Sequence, residues 1–277
     1  MQTICVTNQK GGCGKTVTAL NLGAGLARKG RKVLIVDLDP QAPIASGLGA
    51  VFSDESGQDL LPIADAIKER KLDIIIVPTS TEGLFVAPGD PSLDAQALQR
   101  KPHSTLRRAL AAVTQPFDFV LLDTPPNLDL VTLNAIMAAD WLILPCDVDK
   151  ESLMSLKRTL EVVFEYVEDR DDVEDVESFY RVLVTIYDQR EKVMNRWFEK
   201  QMGTQVAALF HTRIHRASAF KKARTSGTSI FDYVGQGQSR SGEERRAIED
   251  FEKLSEEVIA HAERRTKHRH PVANTAS

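Results

Sequence analysis

This sequence has few cysteines, no long apolar run and no strong excess of charge. Its 277 residues include three cysteines, none in a Cys-x-x-Cys pair, which argues against a disulfide framework and favours a reducing cytosol. No apolar run approaches the roughly 20 residues that span a bilayer, and the chain starts with a strand pattern where a signal peptide would have a basic segment. We therefore expect a cytoplasmic protein without a membrane-spanning segment.

The net charge of −4 predicts neither nucleic-acid binding nor membrane binding by the chain as a whole, so either role would need a local patch. Apolar residues at 42% and charged residues at 27% are ordinary for a globular protein. No internal repeat and no linker rich in Gly, Pro or Ser divides the chain. We predict one domain over residues 1–263 and a basic, polar, disordered tail over 264–277.

Apolar strand patterns alternate with helical patterns along most of the chain. This order is typical of an α/β fold with a mostly parallel central sheet and helices on both faces. The predicted strands cover residues 2–7, 32–37, 73–78, 83–87, 117–123, 141–145, 180–187 and 206–210. The predicted helices cover residues 15–29, 92–114, 128–138, 151–168, 191–202, 217–224 and 242–265, with a shorter one at 62–67.

A glycine-rich loop lies between the first strand pattern and the first helical pattern. Its glycines let the backbone direct N–H groups at phosphate oxygens, and the helix N-terminus adds partial positive charge. Lys15 would reach the β- and γ-phosphates, and the Thr16 hydroxyl would bind Mg²⁺. The loop predicts a single-domain P-loop NTPase that uses a nucleoside triphosphate and Mg²⁺. Its residues are Asn8-Gln9-Lys10-Gly11-Gly12-Cys13-Gly14-Lys15-Thr16.

The loop departs from the usual pattern G-x-x-x-x-G-K-[ST] at its first position, where Gln9 stands in place of glycine. It carries a second lysine, Lys10, in exchange. A chance glycine-rich turn could imitate part of the pattern, and Lys10 could be an ordinary solvated lysine. Because the strand, the loop, the helix and Lys15 are in register, we interpret the segment as a nucleotide site with an additional cation.

Two apolar strand patterns end in carboxylates. Asp37 and Asp39 follow one of them, and side chains two residues apart on a strand share a face. Asp123 ends another, which is the Walker B arrangement, where the acid holds a Mg²⁺-bound water. A strand end that merely emerges into solvent is the alternative, but ligands in open α/β sheets bind at the carboxyl ends of strands. Lys15 and Thr16, Asp37 and Asp39, and Asp123 therefore converge on one nucleotide and one magnesium ion, with Asp123 acting through water.

Together these motifs resemble the ParA/Soj/MinD family of ATPases with a deviant Walker A motif. The resemblance is closest to the short ParA/Soj branch that lacks an N-terminal helix-turn-helix, and it covers about residues 1–262. The segments that carry it are Lys10–Thr16, Asp37-Leu38-Asp39-Pro40-Gln41 and Leu122-Asp123-Thr124-Pro125-Pro126, with further likeness at 77–84, 134–140, 185–190 and 227–230.

The resemblance implies a homodimer that closes around two ATP molecules. Lys10 would reach the nucleotide of the partner subunit, and Gly11 would have to stay small at the interface. Asp39 would orient the attacking water, so that Lys10, Lys15 and Asp39 are the implied catalytic residues. The implied nucleotide-binding residues are Lys10, Gly11, Gly12, Cys13, Gly14, Lys15, Thr16 and Val17.

This chain departs from the family pattern at several positions. The family usually has Val at position 13, where this chain has Cys13, and Thr at position 17, where Val17 lacks the hydroxyl near the α-phosphate. It usually has Gly-Asn after Asp-Pro-Gln, where this chain has Ala42 and Pro43. It has a proline near position 215, where this chain has His215, so the adenine contacts stay unassigned.

Residues 201–231 contain no acidic residue. A short helix rich in cations suits contact with phosphate backbones without base readout, although a charged surface with no partner is the alternative. The resemblance implies non-specific binding of double-stranded DNA by the ATP dimer. The predicted DNA-binding residues are Arg213, Arg216, Lys221, Lys222 and Arg224.

The hypothesis is a slow ATPase whose nucleoid-associated dimer positions a cargo, such as a plasmid or chromosome partition complex, a carboxysome or a chemoreceptor cluster. A cargo-bound ParB-like or other adaptor would stimulate hydrolysis. The alternative is a MinD-like membrane-associated positioning ATPase, but its amphipathic terminal helix has no match in the polar tail. An iron–sulfur protein is disfavoured because Cys146 stands alone, and a nucleotide-gated module with negligible turnover is a third possibility.

Overall fold

Seven strands form one sheet in the computed structural model, which describes residues 1–44, 61–93, 104–168, 170–173, 176–235 and 241–269. The strands are β1 (Gln2–Val6), β2 (Val33–Asp37), β3 (Val77–Pro78), β4 (Leu84–Ala87), β5 (Phe119–Asp123), β6 (Trp141–Asp147) and β7 (Tyr180–Thr185). Their order across the sheet is β3-β4-β2-β5-β1-β6-β7. All neighbours are parallel except β3 and β4, which confirms the predicted α/β fold class.

Within the described residues, a helix lies between most successive strands, and four helices follow β7. They are α1 (Lys15–Arg28), α2 (Ile63–Glu69), α3 (Thr105–Ala111), α4 (Leu130–Ala138), α5 (Lys150–Val167), α6 (Lys192–Met202), α7 (Ala219–Thr225), α8 (Ile230–Gly235) and α9 (Gly242–Arg269). Three 3₁₀ segments cover Leu72–Ile75, Val176–Phe179 and Gly203–Ala208.

The central strands β2 and β5 are apolar up to their terminal aspartates because both faces of the sheet are covered. Every residue of β2 and β5 is buried, as expected for parallel strands between two helical layers. Helix α1 packs between the sheet and α9. A Cβ at Gly23 would lie 2.9 Å from the Ile35 side chain, and one at Gly25 would lie 2.3 Å from Ser255 Oγ.

The close approach of α9 to Gly25 predicts that a larger residue at position 25 would destabilise the protein. Gly25→Ala should lower the free energy of unfolding by about 1–3 kcal/mol, because an added methyl in a filled interface displaces its neighbours. Urea unfolding followed by circular dichroism measures the change. The double variant Gly25→Ala/Ser255→Ala removes the hydroxyl that the methyl would meet, so it should recover part of the loss. If Gly25→Ala unfolds at the same urea concentration as the parent, the close packing of α1 against α9 is contradicted.

Two predicted strands differ from the structure. The strand predicted at 206–210 is wrong, since Gly203–Ala208 is a 3₁₀ segment and only Leu209 forms an isolated bridge, with Val182. The strand predicted at 73–78 is mostly the 3₁₀ segment Leu72–Ile75, and only the two residues of β3 pair with β4. Pro78 has no N–H to donate, which keeps β3 short and at the sheet edge.

Two predicted helices have different bounds. Only α3 is described within the helix predicted at 92–114, and residues 94–103 lie outside the described residues. Helix α9 continues to Arg269, past the predicted domain end at residue 263. Arg265 anchors this extension because it donates to the carbonyl oxygens of Ser178 and Asp140, at 2.6 and 2.9 Å. Residues 270–277 of the predicted tail lie outside the described residues.

Candidate nucleotide site

The predicted phosphate loop connects β1 to α1 at the carboxyl edge of the sheet. Gly12 and Gly14 have φ values of 77° and 94°, a left-handed backbone that glycine adopts without steric cost. The Thr185 hydroxyl, at the end of β7, donates to the Cys13 carbonyl oxygen at 2.7 Å. The end of β7 thus helps to hold the loop in the curled form that a phosphate cradle needs.

Lys15 lies inside this curve. It is only 7% exposed, and its Nζ donates to the Lys10 carbonyl oxygen at 3.0 Å. Cys13 is also buried, whereas Gly11 and Gly12 are exposed. The Lys10 carbonyl therefore holds the Lys15 side chain inside the loop, where a bound phosphate would lie.

Asp37 and Asp123 lie side by side at the ends of β2 and β5. They are register partners, and both are fully buried. Asp37 accepts hydrogen bonds from the backbone N–H groups of Asp39 and Ile44, at 3.2 and 2.9 Å. Neither carboxyl oxygen of Asp123 accepts a well-formed hydrogen bond from the described residues, although the Thr16 side chain lies close enough to favour its charged form. A cation near two buried carboxyls would stabilise their charged forms.

The electrostatics of Asp123 point the same way. Burial and the charge of Asp37 raise the pKa of Asp123 well above its usual value, while Thr16 and the ammonium of Lys15 oppose the shift. The described residues contain no group of three or more His, Cys, Asp or Glu that could hold a metal by themselves. These residues fit Mg²⁺, which keeps several waters and takes phosphate oxygens as further ligands.

Asp39 follows β2 in a tight turn. Its Oδ1 accepts the backbone N–H of Gln41 at 2.9 Å, and its carbonyl oxygen accepts the N–H of Ala42 at 2.8 Å. Ala42 has a φ of 45°, in the left-handed region that favours the glycine usual for the family. The chain therefore bends sharply immediately after the predicted catalytic aspartate.

Gly89 supports this turn from the loop after β4, and the sequence interpretation missed it. A Cβ there would lie 2.7 Å from the Asp37 carbonyl oxygen and 2.8 Å from that of Asp39. Only glycine permits such a close approach of two backbones. The one available signal was the dipeptide Pro88-Gly89, which indicates a turn but not its neighbour.

The second lysine of the loop, Lys10, is directed away from its own cradle. Its Nζ lies 2.7 Å from Asp149 Oδ2 and 2.9 Å from Ser152 Oγ, with Glu151 at 3.6 Å. Asp149 is the N-cap of α5 and also accepts the N–H of Ser152 at 2.7 Å. Asn8 steadies the base of this arrangement, because its Oδ1 accepts the Lys10 N–H at 3.1 Å.

The ion pair changes the titration of both partners. Partial burial favours a lower pKa for Lys10, but the hydrogen bond and charge of Asp149 outweigh it, so the pKa of Lys10 is raised. Burial acts to raise the pKa of Asp149, but the hydrogen bond from Lys10 outweighs it, so that pKa is lowered. Each partner therefore stabilises the charged form of the other. Sequence reasoning missed Asp149, since its partner lies far away in the chain.

A polar cavity of about 790 Å³ lies beyond the end of β7. Ile186, with a φ of 53°, turns the chain so that Thr185 meets the loop and Tyr187 lines the cavity. His215, unassigned from the sequence, lies on the same wall and contacts Asp250 through Nδ1 at 2.9 Å.

The structure separates the predicted DNA-binding residues into two groups. Lys221, Lys222 and Arg224 are exposed together on α7. Arg213 is half-buried, where it pairs with Glu199 and lies 4.8 Å over the ring of Tyr187.

Arg216, the fifth predicted residue, is one of the residues that line the polar cavity. Of the five, the three α7 residues lie on one exposed short helix, and Arg216 is exposed just before it.

Comparison with known proteins identifies the family. The chain is 32% identical over 238 residues to the chromosome partitioning protein ParA of Myxococcus xanthus, covering 83% of this chain and 81% of that protein. It belongs to the ParA/Soj family. A family model described as an AAA domain also matches residues 1–174 of this ParA/Soj member, which include the loop, Asp37, Asp39 and Asp123.

Two further relatives extend the comparison. The maintenance of carboxysome distribution protein A of Synechococcus elongatus is 30% identical over 83% of this chain and 92% of its own. The septum site-determining protein MinD of Pyrococcus horikoshii, solved with Mg-ADP, has a TM-score of 0.71 at 21% identity over 95% of this chain and 98% of its own. The structural likeness confirms the fold that the strand and helix patterns predict.

Proposed function

We propose that this ParA/Soj-family chain is a Mg²⁺-dependent ATPase whose ATP-bound homodimer binds nucleoid DNA without sequence preference and positions an intracellular cargo. The observation that carries the ATPase part is the fully buried carboxyl of Asp123, which is the register partner of Asp37 and lies within reach of Thr16 and the ammonium of Lys15. A metal cation there would stabilise the charged carboxylates, and the adjoining loop would supply the phosphate contacts.

The residues divide the work of phosphoryl transfer by position. Lys15 and the loop N–H groups would bind the β- and γ-phosphates, and Thr16 would bind Mg²⁺, with Asp37 and Asp123 holding its waters. The bound metal would supply positive charge to the phosphates. Asp39 would orient the attacking water, because it lies two residues beyond the metal-facing Asp37 in a turn ordered by its own hydrogen bonds.

Dimerisation gives Lys10 its function in this proposal. The lysine is on the outside of its own cradle, next to the exposed Gly11 and Gly12, which a facing subunit could approach closely. It would leave Asp149 and bind the nucleotide of the partner subunit, so that each site is complete only in the dimer. The dimer would then form with ATP and dissociate after hydrolysis.

The proposed DNA surface is the basic face of α7, formed by Lys221, Lys222 and Arg224. A dimer doubles this surface, and affinity for DNA rises steeply with the number of phosphates contacted. The relatives act on different cargoes, chromosomes in one case and carboxysomes in the other. We propose a cytoplasmic, nucleoid-associated protein whose cargo carries the adaptor that stimulates hydrolysis.

A membrane-bound function has less support. No helix in the described part of the chain is long and apolar enough to cross a membrane. Helix α9 buries its apolar side in the core, with Phe251, Leu254 and Val258 fully covered. Its apolar face is therefore not free to lie on a bilayer surface.

Gel mobility of a duplex of arbitrary sequence tests the proposal. We expect a shift with Mg-ATP and little or none with Mg-ADP. The double variant Lys222→Glu/Arg224→Glu should bind DNA at least about tenfold more weakly, since phosphate contacts dominate affinity, and still form the ATP dimer. The control Arg70→Glu/Lys71→Glu makes the same charge change at another exposed site. Equal shifts with ADP and ATP would contradict the gating, and unchanged binding by the α7 variant would place the DNA surface elsewhere.

A further inference from the structure

A second cavity lies between β7, the 3₁₀ segment Gly203–Ala208 and α9. Its volume is about 520 Å³, within the range of about 300–1,000 Å³ typical of small-molecule sites, and none of its lining residues belongs to the phosphate loop. The wall combines cations, Arg181 and Arg264, with apolar residues, Leu209, Phe210 and Ala260. We call this cavity the arginine pocket.

Arg181 is the cation of this wall that a backbone carbonyl holds in place. The residue is partly buried, and its Nη1 donates to the carbonyl oxygen of Ala207 at 2.6 Å. It forms no ion pair among the described residues. Burial and the charge of Arg264 lower the pKa of Arg181, and Glu257 opposes them. A guanidinium fixed by a neutral carbonyl keeps its remaining donors for another acceptor.

Glu257 is the carboxylate on the wall of the arginine pocket, and the adjacent turn already occupies its oxygens. Its Oε1 accepts the Thr212 N–H at 2.7 Å and the Thr212 hydroxyl, and its Oε2 accepts the His211 N–H at 2.9 Å. The carboxylate therefore orders the turn at 211–212 and makes no direct contact with Arg181.

The environment of His261 shows that the inner wall of the arginine pocket is positively charged. It is 6% exposed, and its Nε2 has no hydrogen-bond partner in the described residues. Burial lowers the pKa of His261 to about 3, with the charges of Arg181, Arg265 and Arg264 adding to the effect. The imidazole is consequently neutral at physiological pH, and the charge around it is positive.

We propose that the arginine pocket binds a phosphate group, separate from the phosphates of the nucleotide at the loop. Guanidinium groups match the planar acceptor geometry of phosphate oxygens, and Arg181 is already oriented by Ala207. The apolar residues beside the cations would contact the organic part of the ligand. The phosphate could belong to a small phosphorylated molecule or to a DNA backbone, and the test separates these two sources.

Tryptophan fluorescence provides the assay. The ring of Trp141 lies 4.5 Å from that of His261, edge to face, and the chain has one other tryptophan, Trp197. In a Trp197→Phe/Lys15→Ala background, Trp141 is the only indole and the loop lacks its phosphate-binding lysine. Titration with inorganic phosphate should give a saturable change in emission.

Substitutions in the arginine pocket then test whether the fluorescence change comes from phosphate bound there. Arg181→Gln and Arg264→Gln should each weaken phosphate binding at least about tenfold, the loss expected for one charge-assisted hydrogen bond. Arg181→Lys, which keeps the charge, should lose less, and Arg108→Gln on α3 should change nothing. Because Arg264→Gln leaves the Ala207 contact in place, it tests the pocket even if Arg181→Gln fails to fold.

Duplex DNA in place of phosphate distinguishes the sources. If DNA changes the emission and both glutamine variants weaken its binding, the pocket holds a backbone phosphate. If DNA binding is unchanged in the variants while phosphate binding falls, the ligand is a small phosphorylated molecule. The proposal is overturned if phosphate gives no saturable change, or if the arginine variants bind phosphate as tightly as their parent.

Discussion

The Lys10→Gln protein is expected to bind Mg-ATP as a monomer and to hydrolyse it at least about 10³-fold more slowly than the parent. A cation supplied across an interface to the transferring phosphoryl group contributes about 10³–10⁵-fold to the rate in related phosphoryl-transfer enzymes. Lys10 has the position for this role, because it lies outside its own cradle and contacts Asp149 at 2.7 Å. Light scattering with Mg-ATP measures the dimer, and phosphate release measures turnover.

Asp149→Asn is the matched control for this prediction. Asparagine keeps an N-cap oxygen for the Ser152 N–H but removes the charge that pairs with Lys10. If the ion pair competes with dimerisation, this variant should dimerise at an equal or lower ATP concentration than the parent. If Lys10→Gln instead dimerises and turns over normally, Lys10 is an ordinary surface lysine and the shared site is wrong.

The second large effect is expected at Asp39. Asp39→Ala should still bind ATP and dimerise, while turnover falls at least about 10²-fold, the cost expected for losing the group that positions a reacting water. The alanine variant also removes the acceptor of the Gln41 N–H, which could loosen the turn.

Asp39→Asn separates these two effects. It keeps an oxygen for the Gln41 N–H and removes the negative charge, so the turn is preserved. Loss of hydrolysis in both variants, with a dimer of normal stability, assigns the loss to chemistry. Undiminished phosphate release from Asp39→Asn would limit the residue to a structural role in the turn.

The sequence predicted the site best where residues that act together lie close together in the chain. The loop, the buried strands and their terminal aspartates lie in continuous patterns, and the rule that ligands gather at carboxyl ends of strands brought Asp37 and Asp123 together. The structure makes them register partners. Periodicity alone could not supply the order of strands across the sheet, which depends on contacts between distant segments.

The residues that sequence reasoning missed are those whose meaning depends on such distant contacts. Thr185, Asp149 and Gly89 each contact the site from a distant part of the chain. Their local sequences do not indicate which residue each of them contacts. The strand prediction at 206–210 failed for a related reason. An apolar run can cover the edge of β7 without joining it, and only Leu209 bridges to Val182.

The left-handed backbone of Ala42 makes the observed conformation of the segment after Asp39 energetically costly. For a residue with a Cβ, that conformation costs about 1–2 kcal/mol. A free-energy difference of this size changes a population ratio by a factor of roughly 5–30. Any rearrangement that returns Ala42 to an ordinary φ would be favoured by that factor, so the segment around Asp39 can change shape at lower net cost than one with glycine at the same position.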